Sequence, residues 1–300
     1  MSSPLVTVVI PVYNGAAFVA DAIESVLVQK GVQLELVVVD DGSTDETPRI
    51  LADFGDRISV RHQTHHGAPA ARNDGIRSSR GEFLAFLDAD DLHPDGYLQR
   101  FIDSAARVPG AEIFHCGWRG VDLEGHPLYA NDALLSLDAD PFHQMLLTGS
   151  PPINALFLRR SVLSLVGMFD ESLPHQQDWD FWLRVAASGA QFQSVPDNVA
   201  IVRRRSSSIS RDAGSALALT GLAVLERRLA RHSTSCSACT AARGLALWKH
   251  AALRSSAWAM TRRFGLTGRL GWWIGVALAV ARTPRLLSAA LDEFHTRQVT

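Results

Sequence analysis

The first ninety residues alternate between two patterns, and that alternation restricts the fold more than any other property of the chain. Apolar, β-branched runs ("LVTVVIPVY" from Leu5, "LELVVVDDGS" from Leu34, "ISVRHQ" from Ile58 and "GEFLAFLDADD" from Gly81) are separated by stretches of helical periodicity. Runs of Val, Ile and Leu without polar alternation are buried on both faces, as in parallel strands covered by helices. Between the first two, Phe18, Ile23, Val26 and Leu27 recur at near-helical spacing, and Lys30-Gly31 closes the segment. Asp45 and Glu46 open "TPRILADF", where Pro48 suits a first helical turn, and "GAPAARNDGIRSS" is the third helical stretch. Short connections between such units predict βαβ topology, an α/β fold with a mostly parallel sheet flanked by helices. Ligands of these sheets bind outside the carboxyl ends of the strands, near the point where strand order reverses. Here those ends carry Pro11-Val12-Tyr13-Asn14, Asp40-Asp41 and Asp88-Ala89-Asp90-Asp91, so polar and acidic groups gather on one edge.

Beyond Asp95 the pattern is mixed. "GYLQRFIDSAARV" reads as a helix, "AEIFHCGWRGVD" as a strand, and "SPPINALFLRRSVLSLVGMFDE" as a loop, a strand and a short helix. "HQQDWDFWLRVAASGA" places Trp179, Trp182, Leu183 and Ala186 on one helical face, and "SVPDNVAIVRRRSSSIS" is a strand followed by a Ser/Arg-rich loop. The chain of 300 residues is 47% hydrophobic and 20% charged, which describes an ordered globular protein and excludes a disordered one. Its net charge of -2 conceals an asymmetry: residues 1–214 carry 17 Lys+Arg against 28 Asp+Glu, and residues 215–300 carry 12 against 3. A body of 1–214 and a basic, Ala/Leu/Arg-rich helical region of 215–300 are therefore expected.

Three cysteines, Cys116, Cys236 and Cys239, imply no disulfide framework and fit a reducing, cytoplasmic setting. Cys236-Ser-Ala-Cys239, with His232 and His250 nearby, is a lone C-x-x-C without four well-spaced zinc ligands or a thioredoxin-like context. The N-terminus shows neither a basic n-region nor a long h-region, against a secretory signal. The apolar run Leu270 to Ala281 has 12 residues where a membrane span needs ~20. With Trp272 and Trp273 it suits an anionic membrane surface as well as a helical lid or a dimer contact, so peripheral attachment to the inner face of a membrane and a homodimer are both open.

Two centres carry chemistry. In an extended segment, residues i and i+2 point the same way, so Asp88 and Asp90 would offer oxygen ligands to a hard divalent cation such as Mg²⁺ or Mn²⁺. The plainer use is a helix cap by Asp91 with its neighbours solvated. The second centre is "HQQDWDFWLR": a carboxylate at a helix N-terminus, beside aromatic rings that exclude water, suits a general base. Asp178 and Asp180 compete for that role, and both also suit the positive end of a helix dipole.

These segments resemble the family 2 glycosyltransferases with the GT-A fold. The matching pieces are "VVIPVYNG", "VVVDDGSTDET", "GAPAARNDGI", "FLAFLDADD", "VGMFDES" and "QDWDFWLRVA", in the family's order, from about Leu5 to Ser210. The resemblance implies an inverting, metal-dependent transfer of a single sugar from a nucleoside diphosphate sugar, with UDP favoured, to an acceptor hydroxyl. That acceptor would be a glycan, a lipid-linked sugar or a small molecule, and the nucleic-acid class is not implied. Pro11 and Tyr13 would line the base pocket, and Asp41 or Asp40 would accept a hydrogen bond from a base N–H. Arg72 and Asn73 match an Arg-Asn pair near the nucleotide; the alternative is a pair on a helix surface. Asp88 and Ala89 would lie by the ribose or diphosphate, Asp90 would be the metal ligand, and Asp91 an additional contact. Asp178 occupies the base position, where Gln177 replaces a common Glu. Trp179 and Asp180 are acceptor-side candidates, Trp179 also suiting the core. Arg203, Arg204 and Arg205 match a basic segment near the diphosphate, or form a solvated loop. No His matches the third metal ligand of some relatives.

Rival classes lack their signatures. A dehydrogenase wants G-x-G-x-x-G where "PVYNGAAF" has one glycine, and a P-loop kinase wants G-x-x-x-x-G-K-[ST]. A nucleotidyltransferase usually carries a glycine-rich, basic loop there. A processive synthase of the family carries Q-x-x-R-W and membrane spans. A non-catalytic sugar-nucleotide binder on the same fold would lack one of Asp88, Asp90 and Asp178, and all three are present.

Overall fold

A computed structural model describes residues 4–131, 137, 139–204 and 224. The chain divides into two compact units, Met1–Met145 with Gly149–Ser208, and Leu146–Thr148 with Ile209–Thr300, and every strand of the sheet belongs to the first. The expected boundary at 214/215 and the helical character of 215–300 fall outside the described residues, as do Arg205, Cys236, Cys239, Trp272 and Trp273.

The expected alternation is present. The order is β1 (Leu5–Val12), α1 (Val19–Leu27), β2 (Gln33–Asp40), α2 (Thr47–Asp53), β3 (Ser59–His62), α3 (Ala68–Ser78), β4 (Phe83–Phe86) and α4 (Tyr97–Arg107). There follow β5 (Ile113–Val121), β6 (Pro127–Asn131), α5 (Pro141–Thr148), β7 (Leu156–Arg159), α6 (Val162–Val166), α7 (Gln177–Ala187) and β8 (Phe192–Arg203). One sheet runs β3-β2-β1-β4-β7-β5-β6, with β8 added parallel to β5. The first four strands pair in parallel, whereas β7 is antiparallel to both β4 and β5. Strand order reverses at β1, which pairs with β2 on one side and β4 on the other, so a crevice opens above its carboxyl end.

The inner strands β1 and β4 are apolar apart from Thr7 because helices cover both faces, whereas the edge strand β3 reads Ser-Val-Arg-His. Val6, Val8 and Ile10 join Ile23 and Val26 of α1 in the main core cluster, and Val37, Val39 and Ala71 of α3 form a cluster of their own. Helix α3 lies close to the sheet through Gly75, where a Cβ would come within 2.4 Å of Val9 Cγ1. That approach fixes the height of Arg72 and Asn73 over the strand ends. Both are buried rather than a pair on a helix surface. Arg203 is likewise buried at the end of β8, not part of a solvated loop.

Candidate active site

The β1–α1 and β2–α2 loops are laced together by polar side chains. Asn14, with a left-handed φ of 49°, accepts from Thr44 N through Oδ1 at 2.8 Å, and its own N–H donates to Ser43 Oγ at 2.9 Å. Gly15 N donates to Thr47 Oγ1 at 2.9 Å and Ala16 N to Asp45 Oδ2 at 3.1 Å. Asp45 Oδ1 also accepts from Thr47 N, so one carboxylate joins the first residue of α2 to the neighbouring loop. Sequence reasoning assigns no role to Asn14, Ser43, Thr44 or Thr47, although a polar "STDET" opposite Asn-Gly is their available signal.

Beside these loops, Pro11 is buried within β1 opposite Val39, while Tyr13 stands 47% exposed just past the strand end. The two carboxylates ending β2 are both buried. Asp40 accepts from Ser43 N at 2.9 Å and lies 3.2 Å from His62 Nδ1. Asp41 accepts from Gln63 Nε2 at 2.6 Å, His66 N at 2.9 Å and Gly67 N at 2.8 Å, and lies 2.9 Å from His65 Nδ1. The His65 ring stacks on Tyr13 with centroids 4.0 Å apart. His65 is not among the residues expected at the site.

The acidic segment is a turn, not an extended strand. Pairing of β4 stops at Phe86, and Asp91 N donates to Asp88 O at 2.9 Å. The expectation that Asp88 and Asp90 share a strand face is therefore replaced by a tight turn that carries Asp88, Ala89 and Asp90 half-buried at its crest. Ala89 sits beside Gly15, whose Cβ would be 3.7 Å from its own. Asp91 points inward: its oxygens accept from Arg203 N at 2.8 Å and Asn154 Nδ2 at 3.1 Å. Burial, and then the charges of Asp88 and Asp90, raise its carboxyl well above the usual range. The Arg203 guanidinium donates to Asp90 O, to Asp21 Oδ2 at 2.9 Å and to Phe18 O at 3.3 Å, which clamps the turn to α1. Arg204 turns instead to Tyr129 Oη, at 2.8 Å.

Arg72 links this turn to the second centre. Its Nη2 donates to Asp88 Oδ1 at 2.6 Å, while Nε and Nη1 are buried without a partner. Asp178, in the first turn of α7, accepts from Trp179 N at 2.8 Å. Some of its surface remains accessible, yet burial raises its carboxyl above the ordinary value; the Arg72 guanidinium opposes this, and the Asp88 charge adds to it. Asn73 faces away from this group. It donates to Phe169 O at 2.9 Å and Glu171 Oε1 at 2.8 Å and accepts from Phe169 N, which ties α3 to the segment before α7. Asp180 is completely buried and pairs with Arg184 at 3.0 Å, and Arg184 in turn donates to Val166 O and Met168 O. Trp179 packs inward with Nε1 on Met145 O at 2.9 Å.

Asp88 and Asp90 suit a hard divalent cation: both are carboxylates in partly open positions, and the repulsion they impose on Asp91 is a load that a cation relieves. Among the described residues, the three-residue set whose ligand atoms all lie within 4.8 Å of one another is elsewhere, at Asp122, Glu124 and His126. Those residues form the β5–β6 turn, where Asp122 Oδ1 accepts from His126 N at 2.7 Å.

A parallel sheet with carboxylates, a buried guanidinium and a laced pair of loops above its reversal point defines the GT-A class of nucleotide-sugar folds. Residues 7–161 match the model of the glycosyl transferase family 2, and the chain belongs to that family. An uncharacterized glycosyltransferase of Rickettsia typhi is 32% identical over 190 residues, 61% of this chain and 58% of the relative. The succinoglycan biosynthesis protein ExoO of Rhizobium meliloti is 34% identical over 220 residues, 69% of this chain and 63% of the relative. The chain thus spans less than two thirds of each. S. aureus TarS 1-349, solved with UDP-GlcNAc, superimposes with a TM-score of 0.64 at 17% identity, covering 92% of this chain and 80% of that one. The mannosyltransferase PcManGT of Pyrobaculum calidifontis, solved with GDP-Man and Mn²⁺, gives 0.58 at 18%, covering 98% and 85%.

Proposed function

We propose that this chain is an inverting, metal-dependent glycosyltransferase that moves one sugar from a nucleoside diphosphate sugar, with UDP favoured, to an acceptor hydroxyl. The observation that carries the proposal is Arg72: a buried guanidinium bonded to Asp88, with Nε and Nη1 unused, whose charge opposes the burial-raised pKa of Asp178. Buried donors without acceptors are costly, and a diphosphate supplies the missing oxygens. Asp88 and Asp90 would hold Mg²⁺ or Mn²⁺, which supplies Lewis-acid stabilisation to the departing diphosphate. Tyr13 and Asp41 receive the base.

Asp178 removes the proton of the acceptor hydroxyl as its oxygen bonds to the anomeric carbon. The bond from that carbon to the diphosphate oxygen breaks on the opposite side, which inverts the centre. Trp179 N orients the base by its hydrogen bond to Oδ1. Burial raises the pKa of Asp178, which strengthens it as a base, and the Arg72 charge opposes that rise. The deciding experiment is a hydrolysis and transfer screen over nucleotide sugars with Mn²⁺, repeated with Asp90→Ala and Asp178→Asn. Loss of turnover in both variants, with donor binding kept in Asp178→Asn, is expected. Unchanged turnover in both rejects the mechanism, and failure of every nucleotide sugar to bind rejects the family's chemistry for this chain.

A further inference from the structure

We infer that the His65 imidazole occupies the nucleobase position and that a donor enters by exchanging its base for this ring. The inference rests on the donor-binding reading above. A base in this pocket has two contacts to make, a stack on Tyr13 and an N–H to the Asp41 carboxylate. His65 stands in both places: its ring lies 4.0 Å from Tyr13 with planes 28° apart, and Nδ1 is 2.9 Å from Asp41 Oδ2 while hydrogen-bonded to the Asp41 carbonyl at 3.2 Å. The carbonyl and the carboxylate offer only lone pairs, so Nδ1 carries the hydrogen.

The surroundings allow the exchange. The His65 side chain is 55% exposed, so the ring can rotate into water at little cost. The backbone beneath it stays put. Gly42, at φ +80°, packs against His65 N, where a Cβ would come to 3.0 Å. Asp41 also keeps three other donors, Gln63 Nε2, His66 N and Gly67 N, when the ring leaves. The carboxylate is thus held in place, ready for an incoming N–H. His65 is a common competitor for every base, and the choice among bases lies with the Asp41 carboxylate, which accepts a ring N–H. Uracil and guanine have one, whereas the corresponding ring nitrogen of cytosine is an acceptor and would face the carboxylate lone pairs.

The test is calorimetric titration of the full chain with UDP, GDP and CDP, in wild type, His65→Ala and Tyr13→Ala. Removing the resident ring should tighten UDP binding roughly two- to tenfold, the range of one aromatic stack. CDP should gain by a similar factor in His65→Ala, because both nucleotides are relieved of the same competitor, and Tyr13→Ala should weaken UDP. In protein labelled at histidine, UDP should move the His65 ring resonances towards those of an exposed imidazole. If UDP binds wild type but His65→Ala weakens or does not alter its affinity, the ring is a wall or a bystander, and the exchange is wrong while the donor site stands. If neither UDP nor GDP binds wild type or His65→Ala, the donor-binding reading fails and takes the exchange with it.

Discussion

Two acidic quartets, Asp88-Ala89-Asp90-Asp91 and Gln177-Asp178-Trp179-Asp180, divide their work in the same way but by different physics. In each, one carboxylate stays at the cleft and another is buried to hold the scaffold. Asp180 is held by a cation, Arg184, which continues to two carbonyls of the segment before α7. Asp91 is held by neutral donors, a backbone N–H and an amide, and remains under the repulsion of Asp88 and Asp90. A sequence shows five Asp residues in two short words; it does not show that one buried member is paired with a cation and the other is bonded to neutral donors.

The largest expected effect tests the open members. Asp178→Asn should reduce transfer about 10²–10⁴-fold, with UDP affinity essentially unchanged in calorimetry. Next come the buried members, by urea unfolding. Asp180→Ala removes the counter-charge of Arg184, which keeps its two carbonyl acceptors, and should cost about 3–5 kcal/mol, whereas Asp91→Ala leaves only neutral donors without an acceptor and should cost about 1–3 kcal/mol. Equal costs would erase the distinction between the quartets.

Titration sharpens it further. The folded-state pKa values of Asp91 and Asp178 are raised, chiefly by burial, so both carboxyls hold protons more tightly in the folded chain. Their contribution to stability is complete below the usual carboxylate range and is lost as pH rises through the raised values. Asp91→Asn should flatten that decline in urea midpoints measured from acid to neutral pH. The acid limb of kcat/KM, where Asp178 must lose its proton, should lie above the ordinary carboxylate range. Arg72→Gln should move it higher still, because Arg72 holds that pKa down. The smallest effect is at the lacing: Asn14→Ala removes the bond to Thr44 N and puts in the left-handed region a residue that lacks the polar side chain by which Asn is tolerated there, for a loss of about 1–2 kcal/mol.

The strands and helices were legible because their signals are local, β-branched runs and Pro48 in the first turn of α2, although α1 stops at Leu27, ahead of the expected Lys30-Gly31. The strand ends were legible too, since connectivity alone sends Tyr13, Asp41 and Asp88 to one edge. What was not legible depends on partners far along the chain. Asn73 is fixed by Phe169 and Glu171, almost a hundred residues later, and Arg203 by Phe18, Asp21 and the Asp88–Asp91 turn. Read locally, each is a polar residue suited to a surface or a ligand. His65 escaped notice for another reason: its ring satisfies a site whose other members were recognised one by one.

The lacing of the β1–α1 and β2–α2 loops has a consequence for engineering. Asn14, Gly15 and Ala16 are each bonded to a residue between Ser43 and Thr47. The two loops are thus a single cassette that happens to be encoded in two places. A graft meant to change donor choice should carry residues 14–16 and 43–47 from the same parent. A chimera taking only one of them inherits half of every cross-link and should lose order in both loops at once.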